Sequence, residues 1–207
     1  MKMKFLLILG IAAILLAACN SNGEGLYCIK TIQNSPGTTV LSKSEMDEIK
    51  NLFSRNQLDF KKYQFTRFQK DELGHRHVRC YQFANNLIVF TSDAIFHFDN
   101  NGKYYTLSGE LVNAISLDKN PSMSRDEVVE KFMGNIEQDG FNQGNNELIS
   151  SCFDVEFGYY DLNAGISYAD EKYVKAWKIK PRNSEYPFAY INDESSEIIY
   201  YDNGIRF

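Results

Sequence analysis

Ile95-Phe96-His97-Phe98-Asp99-Asn100-Asn101-Gly102-Lys103-Tyr104-Tyr105 is the stretch on which the fold turns. Apolar residues lead into Asp99 and aromatic residues resume at Tyr104, with four turn-forming residues between them. Asn and Gly tolerate the positive φ that a tight reversal needs, so the stretch predicts an antiparallel hairpin. A calcium loop is the competing reading, but the glycine falls two positions early for an EF-hand. Working back, Leu87–Phe90 and Ala94–Phe98 read as two short strands separated by Ser92-Asp93. Asn85-Asn86 is a second tight turn, Val78–Phe83 the strand before it, and Asp71–Gly74 the turn that follows Tyr63-Gln64-Phe65. The meander closes near Ser108-Gly109.

Helices flank this meander. Ser44-Glu45-Met46-Asp47 has a capping oxygen followed three residues later by an acid, and Met46, Ile49, Leu52 and Phe53 share one helical face. The spacing predicts a helix over Ser44–Arg55. Ser124-Arg125-Asp126-Glu127 opens a second helix whose apolar face is Val128, Val129, Phe132, Met133 and Ile136. After a Gly/Asn-rich loop at Asp139–Asn146 come four more strands: Leu148–Tyr160, Tyr173–Ile179, Phe188–Ile191 and Ile198–Tyr201. Helix–meander is thus repeated, and Tyr201-Asp202-Asn203-Gly204 echoes the first hairpin. The expected fold is α+β, two helix-plus-antiparallel-sheet units over 41–118 and 119–207, with a single helix packed on each sheet.

The N-terminus carries an address. Lys2 and Lys4 precede an apolar run from Phe5 to Leu16, and Ala17-Ala18 lead to Cys19. This is the layout of a cleavable secretory signal, and its cysteine resembles the lipobox of bacterial lipoproteins. Residues 1–18 are therefore expected to be a lipoprotein signal peptide. Residues 19–40 would be an acylated tether and lead-in, with Leu26–Ile32 as a strand and Asn34–Gly37 as a turn. The apolar run is shorter than the ~20 residues that cross a bilayer. Two or three acyl chains on Cys19 would anchor stably. Lipoproteins as a class imply the bacterial cell envelope, and Asn20 after the cysteine implies the outer membrane.

Cleavage would leave 189 of the 207 residues, and losing two lysines and no acid would take the formal charge from −5 to −7. Such a surface argues against nucleic acid as a partner. An aromatic content of 14%, with 13 Tyr and 15 Phe, suits sheet surfaces. With Cys19 acylated, Cys28, Cys80 and Cys152 remain. One disulfide and one free thiol, in any of three pairings, stands beside three buried thiols as the alternative. No CxxC pair occurs.

Motifs for chemistry are sparse. HExxH, GxSxG, P-loop and dinucleotide fingerprints are absent. His75 and His77 share one side of a predicted strand, but a third metal ligand is missing in sequence and His97 is distant along the chain. Ser108-Gly109-Glu110 reads as a turn, Asp170-Glu171 as loop charges, and Ser150-Ser151-Cys152 lacks a base partner. Trp177, between Ala176 and Lys178 in a strand, reads as core before it reads as a ligand platform. No catalytic residue, metal site or cofactor is assigned.

Tyr81–Phe90, Ile95–Lys103 and Leu107-Ser108-Gly109 resemble the fungalysin/thermolysin propeptide motif: a Gln-bearing strand, a tight turn, an apolar strand, an Asp-x-x-Gly hairpin and a closing Ser-Gly. Asn86 and Ile88 stand where that motif has Gly and Pro. The second half is similar to a PepSY domain through Ser124–Phe132, Ala176–Ile179, Ala189–Asn192 and Glu197–Ile199, with Asn192 and Ser196 replacing its usual Asp and Gly. In secreted metalloproteases this pair of domains forms a propeptide that assists folding and inhibits the enzyme. The resemblance therefore implies a non-enzymatic, lipid-anchored envelope protein that binds, inhibits or chaperones a peptidase or another envelope protein in trans. The alternative is a small-ligand or glycan-binding lipoprotein that uses an aromatic sheet face.

Overall fold

The computed structural model describes residues 27–37, 39–112, 115–138, 152–166 and 168–205. The leader, Cys19, the tether and the loop from Asp139 to Asn146 lie outside them. Among the described residues nine strands and two α-helices follow in the order β1 (Ile29–Ile32), α1 (Lys43–Arg55), β2 (Tyr63–Lys70), β3 (Arg76–Ala84), β4 (Leu87–Phe98), β5 (Tyr104–Ser108), α2 (Arg125–Gln138), β6 (Phe153–Asp161), β7 (Tyr173–Pro181), β8 (Phe188–Asn192) and β9 (Ile198–Asp202), with a 3-10 turn at Phe60–Lys62 leading into β2. No helix among the described residues is long and apolar enough to cross a membrane.

The strands form one mixed sheet in the order β2-β3-β4-β6-β7-β8-β9, with β5 on β4 and β1 on β6. This corrects the expectation of two separate helix-plus-sheet units. The reason lies in strand length. β5 pairs only with Ile95–Phe98 at one end of β4, which leaves the polar groups of its other end to be satisfied. β6 fills that place in parallel, Ile88 opposite Gly158 and Val89 opposite Tyr159, while its own first half pairs in parallel with β1. Gly158 permits the approach: a Cβ there would lie 2.4 Å from the Ile88 carbonyl oxygen.

Local chemistry sets the elements. Asn85 and Asn86 both have positive φ, 52° and 65°, as a two-residue hairpin turn requires. The capping box of α1 is Ser42 with Glu45, two residues before the expected Ser44 with Asp47. Glu45 reaches back to the Ser42 amide at 2.8 Å, a span that the shorter Asp side chain serves less well. The second cap is Ser124 with Glu127, 2.6 Å from amide to carboxylate. The two strands expected on either side of Ser92-Asp93 are one strand with a bulge, where Ser92 accepts the Gln82 amide at 2.8 Å and donates to the Val89 carbonyl at 2.6 Å. The hydroxyl replaces ladder bonds that the bulge removes.

Both helices lie on one face. Register partners share a face, so Cys80 and Gln82 on β3, Val89 on β4, and Tyr159, Val155 and Phe153 on β6 all point the same way. Phe53 of α1 is fully buried against Tyr63, Phe65, Phe96 and Phe98, with ring centroids 4.9–6.0 Å away. A buried ring of this kind contributes about 1.5–3 kcal/mol. Phe132 and Ile136 of α2 pack with Phe153, Val155, Trp177 and Ile179.

Candidate functional site

The face without helices carries an aromatic cluster of its own. Tyr81 and Phe83 of β3, Phe90 of β4, Tyr160 of β6, Tyr190 of β8 and Ile199 of β9 form one cluster there. Tyr190 is its hub, with ring centroids 5.1 Å from Phe90, 5.0 Å from Tyr160, 5.9 Å from Phe188 and 6.3 Å from Tyr200. Lys178 Nζ sits 5.8 Å from the centroids of both Phe188 and Tyr190, a cation held over two ring faces. Burial pushes the Tyr190 hydroxyl above its ordinary range and the Lys178 ammonium below its own. Tyr200 and Tyr186 at the outer edge are 44% and 37% exposed. Aromatic rings combining broad apolar area with polar tips suit recognition of a polypeptide or a sugar ring.

Beside this face the sheet is interrupted. β1 ends at Ile32 opposite Glu156 and β4 begins its pairing at Ile88 opposite Gly158, so Phe157 lies at the break. The break opens a cleft of about 490 Å³ lined by Asn34, Asn86, Leu87, Pro121, Glu156 and Trp177, among others. Glu156 is 9% exposed and accepts from Asn34 Nδ2 at 2.6 Å, and Gln64 Nε2 in turn donates to Asn34 Oδ1 at 2.9 Å. Burial raises the Glu156 carboxyl above its usual value, opposed by the Asn34 bond and the Lys178 charge. The lining holds the hydroxyls of Thr31 and Ser35 but no histidine, cysteine or lysine. It is equipped for recognition by one carboxyl and several amides.

Opposite, on the helix face, Asp193 is 1% exposed and closes the segment before α2 onto the sheet. It accepts from the Ser122 and Met123 amides at 2.7 and 3.0 Å and from Trp177 Nε1 at 2.9 Å. Lys175 Nζ lies 3.6 Å from Asp193 and 3.4 Å from Asp118. Burial works against the Lys175 charge, but Asp118, Asp193 and Glu194 more than offset it and hold its pKa above the ordinary value.

The residues singled out in the sequence fall as follows. Of the three open cysteine pairings, the structure has Cys28–Cys152, with Cα atoms 4.5 Å apart. Cys80 is a free thiol buried in the α1 core, and that burial pushes its pKa upward, away from reactive thiolate. Cys19 and Ser151 lie outside the described residues. Asp99 Oδ1 accepts from the Asn101 and Lys103 amides at 2.9 and 2.8 Å, so this carboxylate works as a turn brace. Trp177 is 4% exposed and packs 4.9 Å from Phe157, serving the core while also lining the cleft. His77 is paired with His97, its register partner across β3 and β4. His75 sits on the turn, 3.5 Å from Asp71. Glu156 has a single sequence signal, an acid amid Phe153, Val155 and Phe157, and alternation alone does not mark it as a site residue.

A comparison with curated proteins returned no match. Among solved structures, the Bacillus megaterium YpeB C-terminal domain matches with a TM-score of 0.37 and 8% sequence identity, over 82% of this chain and 68% of that one. Residues 61–111, which contain β2 to β5, match the fungalysin/thermolysin propeptide motif, and over that span the chain is similar to this family.

Proposed function

We propose that the chain is a non-catalytic, propeptide-type binding module that engages another envelope protein, a peptidase first among them, through its helix-free aromatic face. The observation that carries this reading is that the propeptide-motif span supplies Tyr81, Phe83 and Phe90 to a face that no helix among the described residues covers. Acylation at Cys19 would confine the module to the outer membrane and raise its effective concentration for partners there. The test is incubation of purified protein with secreted and envelope metalloproteases, followed by activity and co-elution. Binding is expected, weakened at least tenfold in Tyr190→Ser/Tyr200→Ser with the circular dichroism spectrum kept. Failure to bind, or binding indifferent to these residues, overturns the reading. Palmitate labelling of the wild type against Cys19→Ala tests the anchor.

A second reading, a small-ligand or glycan-binding lipoprotein, is favoured by the cleft at Glu156 and the adjoining aromatic sheet face. Trp177 is the only tryptophan of the chain and lines that cleft, so its emission separates the two readings. A saturable change on titration with cell-wall oligosaccharides supports the ligand reading, and a flat titration supports the protein-binding one.

A further inference from the structure

His77 and His97 are direct register partners on β3 and β4, and both project from the helix-free face. Their Nδ1 atoms lie 2.7 Å apart, with ring centroids at 4.9 Å and planes at 71°. The far nitrogen of each ring has its own polar neighbour. His77 Nε2 is 3.4 Å from Asp71 Oδ2, and His97 Nε2 is 2.9 Å from Ser108 Oγ. Metal-binding histidines characteristically carry such outer partners, which set ring orientation and tautomer; here the two near nitrogens face each other across a hydrogen bond.

We propose that His77 and His97 form a two-histidine site for a divalent transition-metal ion of the copper and nickel class. Separation selects this class. With metal–nitrogen bonds of about 2.0 Å, two nitrogens at 90° around one ion lie about 2.8 Å apart, and two at the tetrahedral angle lie about 3.3 Å apart. The observed 2.7 Å is close to the right-angle value of tetragonal copper(II) and nickel(II), so an ion of this class replaces the hydrogen bond once each ring turns to aim its lone pair off the N–N line, with little change in the N–N separation. Zinc(II) would need the rings to move apart by roughly half an ångström. Both rings are partly exposed, so an ion has access. Among the described residues no group of three or more His, Cys, Asp or Glu side chains is arranged to hold a metal, so water takes the remaining positions.

With Asp71 accepting His77 Nε2–H, His77 Nδ1 is bare and His97 Nδ1–H donates to it. Ser108 then donates to His97 Nε2. When the ion binds, two metal–nitrogen bonds replace two metal–water bonds. The His97 proton leaves Nδ1 and reappears on Nε2, and the Ser108 hydroxyl turns from donor to acceptor. Both imidazoles stay neutral, as ligation requires.

The experiment is calorimetric titration of the tag-free chain with copper(II) or nickel(II) salts, with electron paramagnetic resonance on the copper form. One equivalent is expected, with a two-nitrogen signature, copper binding tighter than nickel and nickel tighter than zinc, and magnesium giving no heat. His77→Gln and His97→Gln, made separately so that one folded variant suffices, should each weaken binding at least tenfold. His75→Gln should leave it unchanged. Absence of copper binding, binding indifferent to His77 and His97, or loss of binding in His75→Gln overturns the proposal.

Discussion

Replacing Cys28 and Cys152 by alanine tests what holds the first strand in the sheet. The bridge spans 124 residues and encloses β1, α1, β2 to β5 and α2. For a loop of that length the chain-entropy relation gives about 5 kcal/mol at 25 °C, and measured bridges commonly deliver about 2–4 kcal/mol. At roughly 2–4 °C per kcal/mol for a chain of this size, the double variant should melt about 4–16 °C lower. A local effect should accompany the global one. β1 has four residues, pairs with β6 alone, and begins one residue after Cys28. Ordering a backbone costs about 1–2 kcal/mol per residue, and the packing of Tyr27 and Ile29 against the α2 core has to offset it. Without the crosslink, hydrogen exchange in β1 should rise well above that in β6 and β7. Urea melts under non-reducing conditions give the first quantity, and exchange resolved by mass spectrometry gives the second. A stability change below about 0.5 kcal/mol, the ordinary spread of surface substitutions, with β1 amides equally protected, would refute the reasoning.

Gly158→Ala should wedge β4 from β6, because the new methyl would lie 2.4 Å from the Ile88 carbonyl oxygen and 3.0 Å from Phe90 Cε2. A loss of roughly 1–3 kcal/mol or more is expected, together with a two-step urea transition, and a single unchanged transition counts against the join. Asp193→Ala removes the acceptor of three hydrogen bonds and a neighbour of the buried Lys175, so about 3–5 kcal/mol should be lost. Trp177 emission should shift to the red as its Nε1 partner goes. For Glu156 the folded-state pKa is raised, so its contribution to stability is complete below the ordinary value of 4.5 and declines as the pH rises through the higher folded value. Glu156→Gln, which keeps an acceptor for Asn34, should flatten that decline in melting curves taken from acid to neutral pH.

Much of the local structure was legible. Asn85-Asn86 and Asp99–Gly102 turn where their tolerance of positive φ and their side-chain oxygens said they would. The apolar faces of α1 and α2 are those of the 3.6-residue period. The candidate site was less so. The aromatic content announced sheet surfaces but not which rings would meet, and Tyr190 became a hub because β8 lies two strands from β6. His97 is twenty residues from His77, and only the β3–β4 register brings their nitrogens together. Ser92-Asp93 looked like a break between strands because a bulge and a loop share the same polar residues.

By itself the sequence determined the hairpins, the two helices and the core face of each, because capping, turn conformation and periodicity act within a few residues of one another. The tertiary structure alone decided that the strands form one sheet, that Cys28 bonds Cys152, and that both helices leave the same face bare. Those outcomes rest on parallel pairing between strands dozens of residues apart, which leaves no periodic mark in the chain. Its one trace is Gly158, the missing side chain that lets β4 and β6 meet.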